Sequence, residues 1–223
     1  MRQVATYITI ASLTLVLVAC GNSDNKPASH TTNTEANEKV TELEALSPSF
    51  DCSAVSEASI ESMICQQPDL AQLDNQLSNV YQQALNKAEN SSRELKAMQR
   101  GWLKGRDDCW KSNDKPQCIK ESYQQRIAEL QARYRLVDSD GPLRFICDNN
   151  PKNEFIVTFF HTEPRTLIAE RGDQTSLMYN VVSASGAKYQ GRNETFWEHQ
   201  GEALITWGYQ APELTCQKAS LTH

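Results

Sequence analysis

The sequence predicts an α + β two-domain protein, a small disulfide-linked helical domain followed by an antiparallel β domain. Three observations predict it. Apolar residues recur at three- and four-residue steps through residues 70–134, and that period then vanishes. Short β-prone runs separated by Gly, Pro and Asn follow it. Of the seven cysteines one lies near the start, and the other six divide between the two halves. An even set of that kind in an oxidising compartment reads as crosslinks, and six cysteines allow fifteen pairings.

The chain starts with a short basic region at Arg2 and a mostly apolar run over residues 4–18. That is the length of a signal-peptide core and is shorter than the roughly 20 apolar residues of a bilayer span. The run ends in Leu17-Val18-Ala19-Cys20, which resembles a bacterial lipobox. The resemblance implies removal of residues 1–19 and acylation of Cys20, and two or three acyl chains suffice for stable anchoring. An ordinary secretory signal with a chance cysteine is the alternative. Gly21 stands where an aspartate would imply inner-membrane retention, so the expected location is the outer membrane, facing the periplasm. The formal charge is −6 and becomes one unit more negative when Arg2 leaves with the leader. A mildly acidic envelope protein is a poor partner for nucleic acid, which needs clustered Lys and Arg. The four histidines are scattered and no CxxC pair occurs, so neither a metal site nor a cofactor is expected.

Residues 20–48 hold few large apolar side chains and read as the lipidated cysteine followed by a flexible tether. The helical domain is expected over residues 49–138. One apolar stripe runs through Leu70, Leu73, Leu77, Val80, Tyr81, Leu85 and Ala88, with Pro68 and Asp69 as first-turn residues. Asn90-Ser91-Ser92 breaks it and offers a cap for a second helix carrying Leu95, Met98, Trp102 and Cys109. A third stripe joins Ile119, Tyr123, Ile127, Leu130 and Tyr134. Three helices around one small core, stapled by disulfides, suit a unit of this length.

This half resembles the N-terminal domain of lysozyme inhibitors of the LprI type. The resemblance is carried by Phe50-Asp51-Cys52, Ile64-Cys65, Pro68-Asp69-Leu70, Leu73-Asp74, Leu77 and Tyr81. It continues through Gln99-Arg100, Trp102-Leu103, Arg106-Asp107, Cys109, Cys118, Tyr123 and Arg126-Ile127. The preferred pairings are Cys52 with Cys65 and Cys109 with Cys118, both short loops, with the reverse arrangement left open. Arg100, Arg106 and Asp107 are candidates for a functional role, against a simpler one in salt bridging.

Residues 138–142, DSDGP, mark a linker, and the second domain is expected over 142–218. Strand-like runs lie at 143–147, 154–160, 165–170, 175–182, 194–197 and 203–209, a pattern that fits an antiparallel barrel or sandwich. Cys147 and Cys216 would tie the first and last strands together. The Arg171-Gly172-Asp173 triplet invites an adhesion reading, but a hairpin turn explains it more simply.

This half is similar to the membrane-bound and periplasmic inhibitors of c-type lysozyme, small eight-stranded antiparallel β-barrels. The similarity rests on Phe145, Cys147, Ser185-Gly186-Ala187-Lys188-Tyr189, Phe196-Trp197, Glu202-Ala203 and Cys216. It implies lysozyme as the partner, c-type favoured, with Ser185 entering the enzyme's cleft on a bend allowed by Gly186. A retaining glycosidase holds two carboxyl groups about 5–5.5 Å apart, one protonated and one ionised. A serine hydroxyl can donate to one and accept from the other. Lys188 belongs to the same motif, and Tyr189 would support the loop or touch its rim. His199 stands where the family commonly has a lysine, so that second contact rests on a histidine with one donor when neutral. A rim position without direct contact is the alternative for His199.

Catalysis is not expected. Ser185 lacks a G-x-S-x-G setting, and Glu194, Glu198 and Glu202 read as a solvated strand face. The rival function is a non-inhibitory lipoprotein that binds peptidoglycan or another envelope protein.

Overall fold

The computed structural model describes residues 46–219. The leader, Cys20 and the expected tether as far as residue 45 lie outside the described residues. Four α-helices come first: α1 (Ile60–Gln66), α2 (Pro68–Ala88), α3 (Ser92–Asp107) and α4 (Lys115–Arg133). Sequence periodicity yields α2, α3 and α4 but not α1, which is under two turns long and cannot display a stripe. Its start is set by Ser59, whose hydroxyl accepts from the Ser62 amide at 3.0 Å. Its end is held by the Cys52–Cys65 disulfide.

Pro68 opens α2 as expected. The expected serine cap of α3 does not form. Ser91 instead donates from its hydroxyl to the Ala88 carbonyl at 2.7 Å, and a 3₁₀ turn joins α2 to α3. Cys109 lies beyond α3 in another 3₁₀ turn, Asp108–Lys111, and pairs with Cys118 on α4. Ile64, Leu70, Leu77, Ile119, Tyr123 and Leu130 fill the core, while Met98 of the expected stripe is exposed.

Eight strands then close a barrel in chain order, every neighbouring pair antiparallel. They are β1 (Ser139–Cys147), β2 (Glu154–Phe160), β3 (Thr166–Arg171), β4 (Gln174–Val181), β5 (Ala187–Gln190), β6 (Glu194–His199), β7 (Glu202–Trp207) and β8 (Glu213–Ala219). The expected linker at 138–142 is thus corrected. Ser139 and Asp140 already pair with Phe160 and Phe159, and the Gly141-Pro142 pair produces a register shift within β1. Two strands carry no apolar run. Tyr189 is the buried residue of β5, and Cys216 that of β8. Cys216 faces Cys147 across the β1–β8 seam, where the two form the third disulfide. Arg171 pairs with Gln174 around a two-residue turn, so the RGD triplet is a hairpin tip. Its arginine donates to the Asn153 side chain at 2.8 Å and lies over the Phe155 ring.

The helices dock on the barrel wall. Ala132 of α4 packs with Phe160 and Ile168, supported by Val137 and Leu177. The Tyr179 hydroxyl donates to the Gln125 carbonyl at 3.2 Å, and burial pushes its pKa up. Gln125 and Ala132 lie on the opposite side of α4 from Ile119, Tyr123 and Ile127, which face α2 and α3. One helix therefore serves two cores.

Candidate functional site

The β4–β5 connection, residues 182–186, projects from one end of the barrel. The register fixes which end. Phe160, Thr166, Tyr179 and Gln190 are level across β2 to β5, so the β2–β3 connection, the β4–β5 loop and the first residues of β1 share it. The β6–β7 turn at Gln200 and Gly201 lies there as well, next to the His199–Glu202 pair.

The loop is exposed but clamped. The Ser183 hydroxyl bridges the carbonyls of Ser185 and Gly186 at 3.1 and 3.0 Å. The Trp197 indole donates to the same Ser185 carbonyl at 2.9 Å. Gly186 has φ +68°, and a Cβ there would stand 2.1 Å from the Glu198 carbonyl oxygen. The bend therefore requires glycine both for its dihedral and for its contact with β6. Ser185 is exposed, and among the described residues its hydroxyl has no hydrogen-bond partner. Its carbonyl is held while its hydroxyl stays available, the arrangement a recognition group needs.

On the outer wall below the loop, the Lys188 ammonium lies 5.5 Å from the Trp197 ring centroid. The His199 ring stacks on the other neighbour position of Trp197 at 6.3 Å. Lys188 and His199 thus both lie against one indole. Tyr189 alternates inward from Lys188 and is 4% exposed, its ring against Phe159 at 5.5 Å. Its ring therefore sits inside the barrel and not on the rim. Burial also raises its pKa, more than Arg165 lowers it. A concavity of about 270 Å³ opens at this end, with Asp140, Arg165, Glu198 and Lys218 at its edge. Ser183 and Trp197 as clamps were not singled out from sequence. The serine two places before Ser-Gly was the available signal, since short hydroxyl side chains commonly bond carbonyls within a turn.

In the helical half, Arg106 is 3% exposed and binds Asp107 at 2.7 Å, the Tyr123 hydroxyl at 3.0 Å, and Glu61. Tyr123 donates onward to Asp74 at 2.8 Å, and Asp74 accepts from the amide and hydroxyl of Ser49. This polar knot joins all four helices to the segment before them, so Arg106 and Asp107 are structural. Arg100 is exposed. The knot floors a concavity of about 410 Å³ with Phe50, Tyr81 and Trp102 in its walls.

Residues 52–130 match the family described as lysozyme inhibitor LprI, and residues 145–214 match the membrane-bound lysozyme inhibitor of c-type lysozyme. Lipoprotein LprI of Mycobacterium tuberculosis is 31% identical over 217 residues, covering 92% of this chain and 94% of that protein. Lipoprotein LprI of Mycobacterium bovis gives the same figures. The chain belongs to the LprI family. Its LprI-type region spans the helices from the Cys52–Cys65 clip into the last turn of α4, and its c-type-inhibitor region runs from the last residues of β1 to the first of β8. Both are families of inhibitors, proteins that block an enzyme rather than act as one. Among the described residues no group of three or more His, Cys, Asp or Glu side chains is arranged to hold a metal ion.

Proposed function

We propose that this LprI-family protein is an envelope-anchored inhibitor of c-type lysozyme, and that Ser185 and Gly186 form a stopper for the enzyme's carboxyl-lined cleft. The observation that carries this is the clamped, exposed loop, in which the Ser185 carbonyl is fixed by Ser183 and Trp197 while its hydroxyl makes no hydrogen bond among the described residues. The hydroxyl donates to the ionised carboxylate and accepts from the protonated one. Lys188 contributes positive charge near the rim and His199 a ring N–H donor, both beside Trp197. Cys20 carries the lipid that holds the inhibitor at the outer membrane, where it protects peptidoglycan.

A hydrogen bond to a charged group contributes about 1.5–3 kcal/mol, against roughly 12 kcal/mol for nanomolar binding. The serine therefore sets specificity, and the surrounding surface supplies most of the affinity. Ser185→Asp is the test, titrated in the full chain against hen egg-white lysozyme. A carboxylate facing carboxylates costs several kcal/mol, so inhibition should weaken by at least about 100-fold at unchanged thermal stability. Wild-type inhibition by this variant would dismiss the stopper. Binding to purified peptidoglycan without inhibition of added lysozyme would favour the rival lipoprotein role.

A further inference from the structure

The helical half ends in a feature that the stopper does not use. Trp110 sits in the 3₁₀ turn Asp108–Lys111 and is 62% exposed. An exposed tryptophan is costly to leave in water and is among the residues most enriched at binding hot spots. This one is held in place. Cys109 beside it is buried and bonded to Cys118, and the Ser112 amide donates to the Cys109 carbonyl at 3.0 Å. Lys111 pairs with Asp108 at 2.6 Å and places its ammonium 5.5 Å from the Trp110 ring centroid. An aromatic side chain on a fixed turn has only two rotatable bonds to order and loses little entropy on binding.

The docking of α4 fixes where this tip points. Arg133 lies beside residues 174–177 of β4, Ala132 beside Leu177, and Gln125 beside Tyr179. Followed from its end to its start, α4 packs chiefly on β3 and passes from the level of Leu177 to that of Tyr179, towards the end of the barrel that carries the stopper loop. From Gln125 to Lys115 the helix advances about 15 Å at 1.5 Å per residue. From Tyr179 to Ser185 the strand and loop reach at most about 20 Å. Both segments therefore extend beyond the Tyr179 level towards the end of the barrel that carries the stopper. A small globular domain is about 30 Å across, so one enzyme molecule seated on the loop reaches the helical tip. The loop and the β6–β7 turn also supply only a fraction of the roughly 20–30 residues that one side of a stable interface contains.

We propose that the Cys109–Cys118 loop with Trp110 is a second contact on the same lysozyme molecule that the Ser185 loop plugs. This rests on the stopper assignment. It makes the inhibitor a two-pronged clasp whose prongs are held at fixed spacing by the α4–barrel contact.

The test uses the full chain with hen egg-white lysozyme as the probe. Trp110→Ala should weaken inhibition by about 10- to 100-fold, the range for losing an aromatic hot spot, with the melting temperature unchanged. Trp110→Phe should recover most of the loss. Hydrogen exchange should slow at residues 108–114 as well as 182–186 when lysozyme is added. Wild-type inhibition by Trp110→Ala, or protection of 182–186 without 108–114, would overturn the second contact and leave the stopper standing. Protection of neither segment would overturn both. Protection of 108–114 that rises with inhibitor concentration in the absence of lysozyme would reassign the tip to self-association and overturn the clasp.

Discussion

Replacing Gly186 with alanine tests the loop's construction most directly. At φ +68° an alanine incurs the left-handed penalty of roughly 1–2 kcal/mol. Its Cβ would also stand 2.1 Å from the Glu198 carbonyl oxygen, and that carbonyl belongs to β6 backbone, which cannot rotate away. Relief therefore requires the loop to move by more than an ångström. That movement strains the two Ser183 bonds and the Trp197 bond, each contributing about 1 kcal/mol. The expected total is a loss of about 2–4 kcal/mol in unfolding free energy, measured by urea titration, with inhibition weakened at least tenfold. Gly172→Ala is the control. Gly172 also has positive φ, at +59°, but its Cβ would meet nothing within 4 Å, and it lies at the opposite end of the barrel. It should lose only the dihedral penalty and inhibit normally. Equal stability of the two variants, with wild-type inhibition by both, would refute the claim that β6 dictates the bend.

Two further outcomes follow from the crosslinks and the buried phenols. Joint replacement of Cys147 and Cys216 by alanine opens a loop of 69 residues and should cost about 4 kcal/mol; an unchanged urea midpoint would mean the β1–β8 ladder closes the barrel unaided. Burial raises the pKa of Tyr123 more than the nearby Arg106 lowers it, and burial raises that of Tyr179 as well. Both phenols stay protonated in the folded chain while the unfolded chain loses those protons near pH 10. Stability is thus fully present below about pH 10 and is lost as pH rises towards the folded values. Urea midpoints that stay level from pH 9 to 11 would contradict that burial.

How much was legible from sequence follows from the range of each signal. The α2 and α4 stripes are repeated locally, so their periods are readable, as are the β2 and β4 runs. β5 and β8 are not, because each buries one residue and owes its strand state to its neighbours. The docking of helix on barrel left a trace in β3, where Thr166, Leu167, Ile168 and Ala169 are buried in succession. Such a run means cover on both faces, whereas a free barrel wall alternates. At the loop, Ser185 and Gly186 were readable as a motif. The Trp197 indole that holds the Ser185 carbonyl comes from twelve residues away, and only the barrel's register brings them together.

The Ser49–Asp74 contacts take on a mechanical meaning under the lipid anchor proposed for Cys20. A pull arriving along the chain meets the Ser47 carbonyl, which accepts from the Asn75 side chain at 2.7 Å, and then the amide and hydroxyl of Ser49, bonded to one carboxylate at 2.7 and 2.6 Å. That carboxylate passes the strain through Tyr123 to Arg106, so tension spreads over several helices before the Cys52–Cys65 clip takes it up. Trimming the chain past Ser49 would remove this shock absorber while leaving every disulfide in place.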